Sequence, residues 1–511
     1  MKKILISVAP WETRAAVTKD DRLQNIYFAD HTAIQLERSF YKGLVTKVLP
    51  GIQTAFVDIG QEKAGFLHIS EIDRELALTR MQETIAIEDE ISEDDQLERE
   101  PVRRQYHSSP DIGKILQEGE PILVQVCKEP VYEKGAKLTT CFTLPGRFLV
   151  LLPNIPRIGI SKKIDDREER QRLKSVVLNN LPSGMGAIIR TSMYRRGEKE
   201  IKQDLDYLVR AWNDILERYA KAQLQEKIHE DLPLSQAIVR DYLDEDVESV
   251  ITNDPKTHQE VYKFVKVIAP EYSHKIKLFK EPPLLFARYN IDKQIDEALQ
   301  KKVILRSGGS IIIESTEAMT VIDVNTGKYT GSTNVEDTIL QTNLEAAEEV
   351  VRQLRLRNIG GLIVIDFIDM STSSNRQKLY HFLEQSLREH DKYQSVVLKV
   401  SEFGLVQMTR KRTGKTLIQQ LTQSCQCCHG RGFTKSVNTL SNAILHNLKL
   451  TLLEAGKIKA LIINVAPSIF EHITHREYEA ILTLEKEFNC TITIASNAQI
   501  ATEDYKVEIT K

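Results

Sequence analysis

The sequence has few cysteines for its length. Its 511 residues include six, too few for the disulfide framework that small secreted domains use in place of a large core. Three of them, Cys127, Cys141 and Cys490, stand alone among apolar or strand-forming residues, where a packed thiol is the usual state. This cysteine usage predicts a reducing compartment, and therefore a cytoplasmic protein.

Long apolar runs are also missing. No run reaches the ~18 residues that a membrane-spanning helix needs, so we expect no membrane span. Lys2 and Lys3 followed by the apolar residues 4–9 imitate a secretory signal, but the stretch is short and predicts a buried strand. A hydrophobic content of 41% and a charged content of 28% are typical of a globular protein, and the length predicts several domains.

The net charge is small and unevenly distributed. The chain carries a formal charge of −3, yet residues 83–100 alone contain nine acidic residues and one arginine, which leaves +5 for the rest. That segment predicts a solvated insertion in a surface loop; the alternative is a segment that imitates a nucleic-acid strand inside a binding groove. The acidic total therefore does not exclude a nucleic-acid partner.

Short strands interrupted by glycine and proline predict a small barrel in the first third of the chain. They cover residues 41–48, 53–60, 64–70 and 119–126. The spacing of the glycines and of Phe56 and Phe66 resembles the S1-type OB barrel, which binds RNA. Exposed aromatic rings on such a barrel stack on unpaired bases and Lys128 would contact phosphates, unless the two phenylalanines only fill the interior.

A strand–helix–strand unit is predicted between residues 311 and 366. Its strands cover 311–314, 320–324 and 362–365. Thr333 and Glu336 have the spacing of a capping box, and they open a long amphipathic helix that stops at residues 358–361. The second and third strands, joined by this helix, are therefore expected to be parallel.

Two aspartates end these two strands. Parallel strands place their carboxyl ends at one edge of a sheet, so Asp323 and Asp366 should converge if their strands are neighbours, ~4.8 Å apart. Magnesium is typically held by one or two carboxylates, with water and phosphate completing its shell. Asn325 would lie on the same strand face and orient a water or phosphate oxygen. Asp369 is a reserve candidate that equally suits a turn.

Phosphate-binding loops of the NTPase type are missing. Gly414-Lys415-Thr416 resembles the end of such a loop, but Thr409 stands where the first glycine is required. The basic residues 410–412, with Lys415, have spacing that suits a phosphate track near the predicted active edge. A solvated turn is an equally good interpretation.

Cys425 and Cys428 form the single Cys-x-x-Cys pair of the sequence. A tetrahedral zinc needs four ligands and the pair offers two, so two subunits would complete one site and form a metal-linked homodimer. Cys427 and His429 leave two alternatives open, a site closed within one chain or redox chemistry.

Three segments resemble the catalytic core of the bacterial ribonuclease E/G family. They are Thr342–Glu349, Arg352–Arg357 and Gly360–Met370. The resemblance covers most of the chain and is weak only over 433–511. It implies a magnesium-dependent endoribonuclease of rRNA processing and mRNA decay that cuts single-stranded RNA and leaves 5′-phosphate and 3′-hydroxyl ends. The end of the chain at Lys511 suggests the compact, ribonuclease G-like form, with no extended scaffold tail.

The resemblance also implies an α/β multidomain fold. Its expected parts are an RNase H-like scaffold (1–37 and 236–298), an inserted S1-type OB barrel (38–130, with the acidic insertion 83–100), a 5′-end sensor region (131–235), a DNase I-like catalytic subdomain (299–421), a zinc link (422–435) and a small C-terminal α/β dimerisation domain (436–511).

Functional residues follow from the same resemblance, position by position. It makes Asp323 and Asp366 the magnesium ligands, with Asn325 as their catalytic neighbour. The expected RNA clamp of the barrel consists of Phe56, Phe66 and Lys128. The pocket that senses a 5′-monophosphate, and so stimulates cleavage, matches Gly146, Val150, Arg190 and Thr191.

Zinc shared through Cys425 and Cys428 would link a homodimer or a dimer of dimers. Residues 192–196 and Gln426 depart from the family pattern. The first departure directly follows the expected sensor residue Thr191, and the second lies between the expected zinc ligands. A non-catalytic S1-type RNA-binding protein and a zinc hydrolase centred on 425–429 are the alternatives to the nuclease.

Overall fold

The structure is a computed structural model of the chain. It describes residues 1–32, 36–73, 111–130, 135–282, 284–326, 335–428, 430–455 and 458–510. The predicted acidic insertion, Thr333 of the predicted capping box and His429 lie outside these residues. The chain divides into two compact units, Met1–Leu417 and Ile418–Lys511.

The strands are numbered in chain order. They are β1 Lys2–Val8, β2 Glu12–Lys19, β3 Arg22–Asp30, β4 Phe40–Leu49, β5 Thr54–Asp58, β6 Gly65–His68, β7 Pro121–Lys128, β8 Lys137–Thr139, β9 Leu144–Pro145, β10 Leu149–Leu152, β11 Ile158–Ile160, β12 Gly186–Ile189, β13 Lys227–His229, β14 Val247–Thr252, β15 Ile276–Leu278, β16 Lys302–Ile304, β17 Ser310–Ser315, β18 Met319–Asn325, β19 Gly361–Asp366, β20 Ser395–Val397, β21 Leu405–Arg410, β22 Ala460–Val465, β23 Thr491–Ser496 and β24 Tyr505–Thr510.

The α-helices are numbered in the same way. They are α1 Ile112–Ile115, α2 Arg167–Asn180, α3 Glu198–Lys221, α4 Leu234–Tyr242, α5 Pro255–Ile268, α6 Leu285–Arg288, α7 Ile291–Leu299, α8 Val335–Leu356, α9 Ser373–His390, α10 Leu417–Leu421, α11 Val437–Ala455, α12 Pro467–Arg476 and α13 Tyr478–Phe488. None of these helices in the described part of the chain is long and apolar enough to cross a bilayer.

The first sheet of the larger unit has the order β15-β14-β1-β2-β3. β1, β2 and β3 are antiparallel neighbours, whereas β14 runs parallel to β1 and β15 parallel to β14. Helices α4 and α5 cover one face, which includes Ile4 and Ile6, and α6 and α7 cover the other, which includes Leu5. The amino-terminal segment is thus the buried strand that its sequence predicts.

A closed barrel follows. β4, β5, β6, β8 and β7 pair in succession, and β7 pairs back with β4. At Gly43 a Cβ would overlap the Val57 side chain, so the close approach of these strands requires glycine. The predicted barrel is therefore confirmed, and its β8 lies past residue 130, the boundary expected from the sequence.

A small sheet in the order β11-β12-β10-β9 is covered by α2 and α3. Buried Asp204 of α3 accepts hydrogen bonds from the amides of Arg147, Phe148 and Leu149 at 3.1, 2.8 and 2.9 Å. Burial nevertheless raises the pKa of Asp204. This carboxylate fixes the turn between β9 and β10, beside Gly146.

The sheet that carries the two aspartates has the order β16-β17-β18-β19-β21-β20. Among its described pairings only β18 with β19 is parallel. Helices α8 and α9 pack on one face through buried Leu354 and Leu383. α8 ends before Asn358, which has a left-handed φ of 51°. The predicted strand–helix–strand unit is confirmed.

The smaller unit contains a sheet in the order β23-β22-β24. β22 is parallel to β23 and antiparallel to β24. Helices α11, α12 and α13 supply buried apolar residues to its core, among them Leu448, Ile469 and Leu484. This unit is the small α/β domain expected at the carboxyl end.

Candidate active site

Asp323 and Asp366 are partners in the register between β18 and β19. Neighbouring strands lie ~4.8 Å apart and paired residues point to the same face, so both carboxylates belong to one edge of the sheet. Asp323 is half-buried and Asp366 is exposed. The structure therefore brings together the two aspartates that the sequence singles out.

Asn325 is tied directly to this pair. Its Nδ2 donates a hydrogen bond of 2.7 Å to Oδ2 of Asp323. The amide group thus orients one carboxylate, and its side chain remains exposed to solvent at the strand end. The structure places Asn325 where the sequence analysis expects it.

Negative charge is concentrated at this edge. Desolvation raises the pKa of Asp366, and the nearby charges of Asp323 and Asp369 raise it further. Within the described ranges, no basic side chain forms an ion pair with any of these three carboxylates. Uncompensated carboxylates on one edge fit a hard divalent cation, whose charge would relieve the repulsion.

The number of protein ligands is small. No group of three or more His, Cys, Asp and Glu residues suited to a metal ion occurs in the part of the chain that the structure describes. A magnesium ion held by Asp323 and Asp366 would take its remaining ligands from water and substrate phosphate, as is common for this ion.

Asn343 holds the loop that follows Asp366. It is fully buried on α8, where its Nδ2 donates to the carbonyl of Ile368 at 2.8 Å and its Oδ1 accepts from the Ile368 amide at 3.1 Å. Sequence reasoning missed this residue. The available signal was a polar side chain on the apolar face of the predicted helix.

The basic group around Arg410 lies at the other end of the sheet. Arg410 pairs in register with Gly361, whereas Asp366 pairs with Leu405. The Arg410 guanidinium is buried and donates to Asp391 from Nε at 2.6 Å and from Nη2 at 3.0 Å. The hypothesis of a phosphate track near the active edge is therefore wrong for Arg410, which is a structural residue.

A row of side chains crosses the outer face of the barrel. Lys47 is opposite Phe56, Phe56 opposite Phe66, Phe66 opposite Lys137, and Lys137 opposite Lys128. Both rings are half-exposed and outside the buried barrel core. The alternative that these phenylalanines only fill the interior is thus not supported.

Lys47 and Lys137 were missed by the sequence analysis. Lys137 lies on β8, which closes the barrel, and it forms an ion pair with Glu71. Their place in the row depends on strand pairings, which no local pattern reveals. We name the five residues Lys47, Phe56, Phe66, Lys137 and Lys128 the barrel row.

The four residues of the expected 5′-end sensor lie on one small sheet or at its margin. Arg190 donates from Nη1 to the carbonyl of Gly146 at 2.6 Å and to Oδ1 of Asp241 at 2.9 Å. Thr191 shares a hydrogen bond of 3.0 Å with the Ser161 hydroxyl. The structure thus brings Gly146 and Arg190 into contact.

Val150 lies on β10 opposite Ile188 of β12, the strand that leads into Arg190. Asp241 was missed by the sequence analysis, because it comes from α4 and meets Arg190 only in the folded chain. The guanidiniums of Arg240 and Arg190 keep the pKa of Asp241 low despite its burial.

The cysteine cluster offers a pair of accessible thiols. Cys425 and Cys427 are exposed and Cys428 is half-buried. Hydrogen bonds from the backbone amides of Cys428 and Cys427 lower the pKa of Cys425 and favour the thiolate, the form that binds zinc. Gly430 and Gly432, which follow the cluster, have φ of 84° and 79°, in the left-handed region that favours glycine.

Comparisons with known proteins place the sequence in a family. A family model described as the ribonuclease E/G family matches residues 143–413, and one described as the thioredoxin-like domain of RNase E/G matches residues 424–510. The chain belongs to the ribonuclease E/G family. The second match includes the segment in which the sequence resemblance is weak.

Curated relatives in this family cover nearly the whole chain. Ribonuclease G of Escherichia coli (strain K12) is 36% identical over 483 residues, 94% of each chain. Ribonuclease G of Haemophilus influenzae is 36% identical over 503 residues, 98% of this chain and 97% of that protein. Ribonuclease E of Escherichia coli (strain K12) is 33% identical over 511 residues, 99% of this chain and 46% of that protein.

These relatives confirm the predicted enzyme class, an endoribonuclease. They do not support the alternatives of a non-catalytic RNA-binding protein and of a zinc hydrolase.

Proposed function

We propose that this endoribonuclease cuts single-stranded RNA at the edge formed by Asp323 and Asp366, and that it acts in rRNA processing and mRNA decay in the cytoplasm. The observation that carries the proposal is the direct pairing of these aspartates on parallel strands. The products would be a 5′-phosphate and a 3′-hydroxyl.

Each residue of the edge has a distinct task. Asp323 and Asp366 would hold Mg²⁺, and Asn325 keeps the Asp323 carboxylate oriented through its hydrogen bond. When bound, the ion would lower the pKa of a water molecule and neutralise charge on the phosphate. Asn343 keeps the loop after Asp366 in place.

The proposed edge is tested by removing one charge at a time. We expect Asp323→Asn and Asp366→Asn each to lower magnesium-dependent cleavage of a short unstructured RNA by more than about 100-fold, the scale at which a key electrostatic contact contributes to catalysis. RNA affinity should be retained, because the barrel row is unchanged.

Asp296→Asn is the matched control, since Asp296 is an exposed aspartate on α7. Cleavage by either edge variant at the wild-type rate would reject the assignment. Cleavage that continues in EDTA would reject the role of the metal.

The finer fold assignment belongs to the same proposal. The strand order β3-β2-β1-β14-β15 supports an RNase H-like scaffold formed by residues 1–37 and 236–298. The aspartate-bearing sheet with α8 and α9 would be the DNase I-like catalytic subdomain, 299–421. The barrel would be of the S1 type, with its row as the RNA clamp.

The contact between Arg190 and Gly146 supports a 5′-monophosphate sensor in the region 131–235. A guanidinium fork and the Thr191 hydroxyl are suited to a terminal phosphate. A zinc link at 422–435 would join two subunits through Cys425 and Cys428. The smaller unit would then serve as the dimerisation domain of a homodimer or a dimer of dimers.

A further inference from the structure

A tight turn at the active edge exposes an aromatic ring. β21 begins at Leu405, the register partner of Asp366, and the turn Ser401–Gly404 immediately precedes it. Phe403 at the tip of this turn has 79% of its surface exposed. It comes two residues before Leu405, so its backbone lies ~7 Å along the chain from the position opposite Asp366.

Hydrogen bonds close this turn on itself. The Gly404 amide donates to the Ser401 carbonyl at 3.2 Å, and the Ser401 amide donates to the Leu405 carbonyl at 2.9 Å. The Ser401 hydroxyl also accepts from the Leu405 amide at 3.1 Å. These hydrogen bonds hold the backbone that presents Phe403 in a tight turn.

The turn is also packed against the loop that follows Asp366. Gly404 has a φ of 74°, and a Cβ there would lie 2.6 Å from the Phe367 carbonyl and 3.3 Å from Oδ1 of Asp369. The Phe367 amide donates to the Gly404 carbonyl at 3.3 Å. Only glycine fits this contact, which fixes the turn beside the residues that follow Asp366.

A single exposed apolar side chain is common on protein surfaces and by itself indicates no ligand. Phe403 differs in its place, because its turn is hydrogen-bonded to the residue that follows Asp366 and contacts Asp369. The exposed ring is therefore carried on the edge that the RNA backbone has to reach. A protein partner seated on the ring would cover that edge. The π-face of an unpaired nucleobase is the ligand that fits an exposed ring next to a scissile phosphate.

We propose that Phe403 stacks on a nucleobase adjacent to the scissile linkage and so positions the phosphate at the edge formed by Asp323 and Asp366. The inference rests on the proposed function of that edge. It assigns Phe403 as a positioning residue that acts through the substrate, in addition to the barrel row.

A double-mutant cycle between protein and RNA tests this role. One short RNA with a single cleavage site is compared with versions that lack the base on either side of that site, under single-turnover conditions. For the wild type we expect one abasic version to be cut about 5- to 150-fold more slowly, the range of one base–aromatic stack. Phe403→Ala should slow cleavage of the complete RNA by a similar factor, with no further loss on that abasic version.

Phe403→Trp should keep the dependence on the base, because tryptophan also stacks. Val396→Ala is the matched control, since Val396 is an exposed apolar residue of β20 paired with Thr409, at the far end of the same sheet. This control should cut like the wild type on each RNA.

Independent effects of Phe403→Ala and base removal would overturn the proposal. A Phe403→Ala protein that cleaves RNA at the wild-type rate would also overturn it. A Phe403→Ala protein that loses activity together with a change in its sedimentation coefficient would do the same, since that result would make Phe403 a subunit contact. Wild-type activity in Asp366→Asn would instead reject the proposed edge, whatever the Phe403 variants do.

Discussion

Neighbouring groups shift the pKa of individual carboxylates in this chain in opposite directions. Asp366 has a raised pKa because partial desolvation and the nearby charges of Asp323 and Asp369 disfavour its ionised form. Glu169, in the first turn of α2, has a pKa lowered to about 2. The main cause is Arg172, whose Nε and Nη2 donate to it at 2.7 and 2.8 Å, with a further bond from the Arg195 amide at 2.9 Å.

We expect Glu169 to make the free energy of unfolding depend on pH. Its pKa falls from 4.5 to about 2 on folding, so the ionised group stabilises the fold above 4.5 and loses that contribution as the pH falls towards 2. The difference in unfolding free energy between wild type and Glu169→Gln should therefore shrink from about pH 6 to about pH 3 in urea titrations. A pH-independent difference would contradict this expectation; Glu168→Gln, an exposed neighbour, is the control.

Residues that end an apolar run could be found from the sequence, and residues defined by a distant partner could not. Asp323 and Asp366 each close a predicted strand, which locates both at one sheet edge. Asp241 acquires its role only because α4 meets Arg190 in the folded chain. The sequence predicted that Arg410 lies either on a phosphate track or in a solvated turn, because its buried partner Asp391 is not identifiable from local spacing.

At the scale of elements, long periodic segments were predictable and very short ones were not. The amphipathic pattern predicted α8, and the apolar runs predicted β18 and β19. β8 spans Lys137–Thr139 and has too few residues for a visible pattern, although it completes the barrel. The order of strands around the barrel is set by non-local pairing, so the barrel row emerged only from the register.

The barrel row should act as one RNA-binding element. We expect Phe56→Ala and Phe66→Ala each to weaken the binding of a short single-stranded RNA by about 5- to 150-fold, the contribution of one stacked base. Lys47→Gln and Lys137→Gln should reduce the salt dependence of the dissociation constant, because each removes one phosphate contact. Fluorescence anisotropy at several salt concentrations measures both effects.

Ile52→Ala is the control for this row, since Ile52 is an exposed apolar residue of the barrel outside it. Unchanged affinity in both phenylalanine variants would show that the row does not bind RNA.

At the scale of the whole molecule, the proposed subunit link depends on the cysteine pair. We expect about one zinc per two chains, because the cysteine pair of each chain supplies two of the four ligands. Chelation, Cys425→Ser or Cys428→Ser should remove the metal and dissociate the dimer, as measured by elemental analysis and sedimentation. Cys427→Ser should keep both the zinc and the dimer. A monomer that retains zinc would instead indicate a site closed within one chain.

The sensor region should link the chemical state of the RNA end to the cleavage rate. We expect faster cleavage of RNA with a 5′-monophosphate than with a 5′-hydroxyl, because Arg190 and Thr191 can bind a terminal phosphate. Arg190→Gln should abolish this preference and leave the rate on 5′-hydroxyl RNA unchanged. Arg195→Gln, a nearby arginine stacked on Tyr194, should keep the preference; equal rates on both ends in the wild type would reject the sensor.

The crossover between β18 and β19 also has a consequence for biosynthesis. Asp323 leaves the ribosome well before its partner, because all of α8 is made between the two strands. β1 likewise finds its partner β14 late, because β14 is made only after the barrel and the sheet of β9 to β12. With the active edge assigned as proposed, a nascent chain therefore lacks one of its two metal-binding carboxylates until Asp366 has been made.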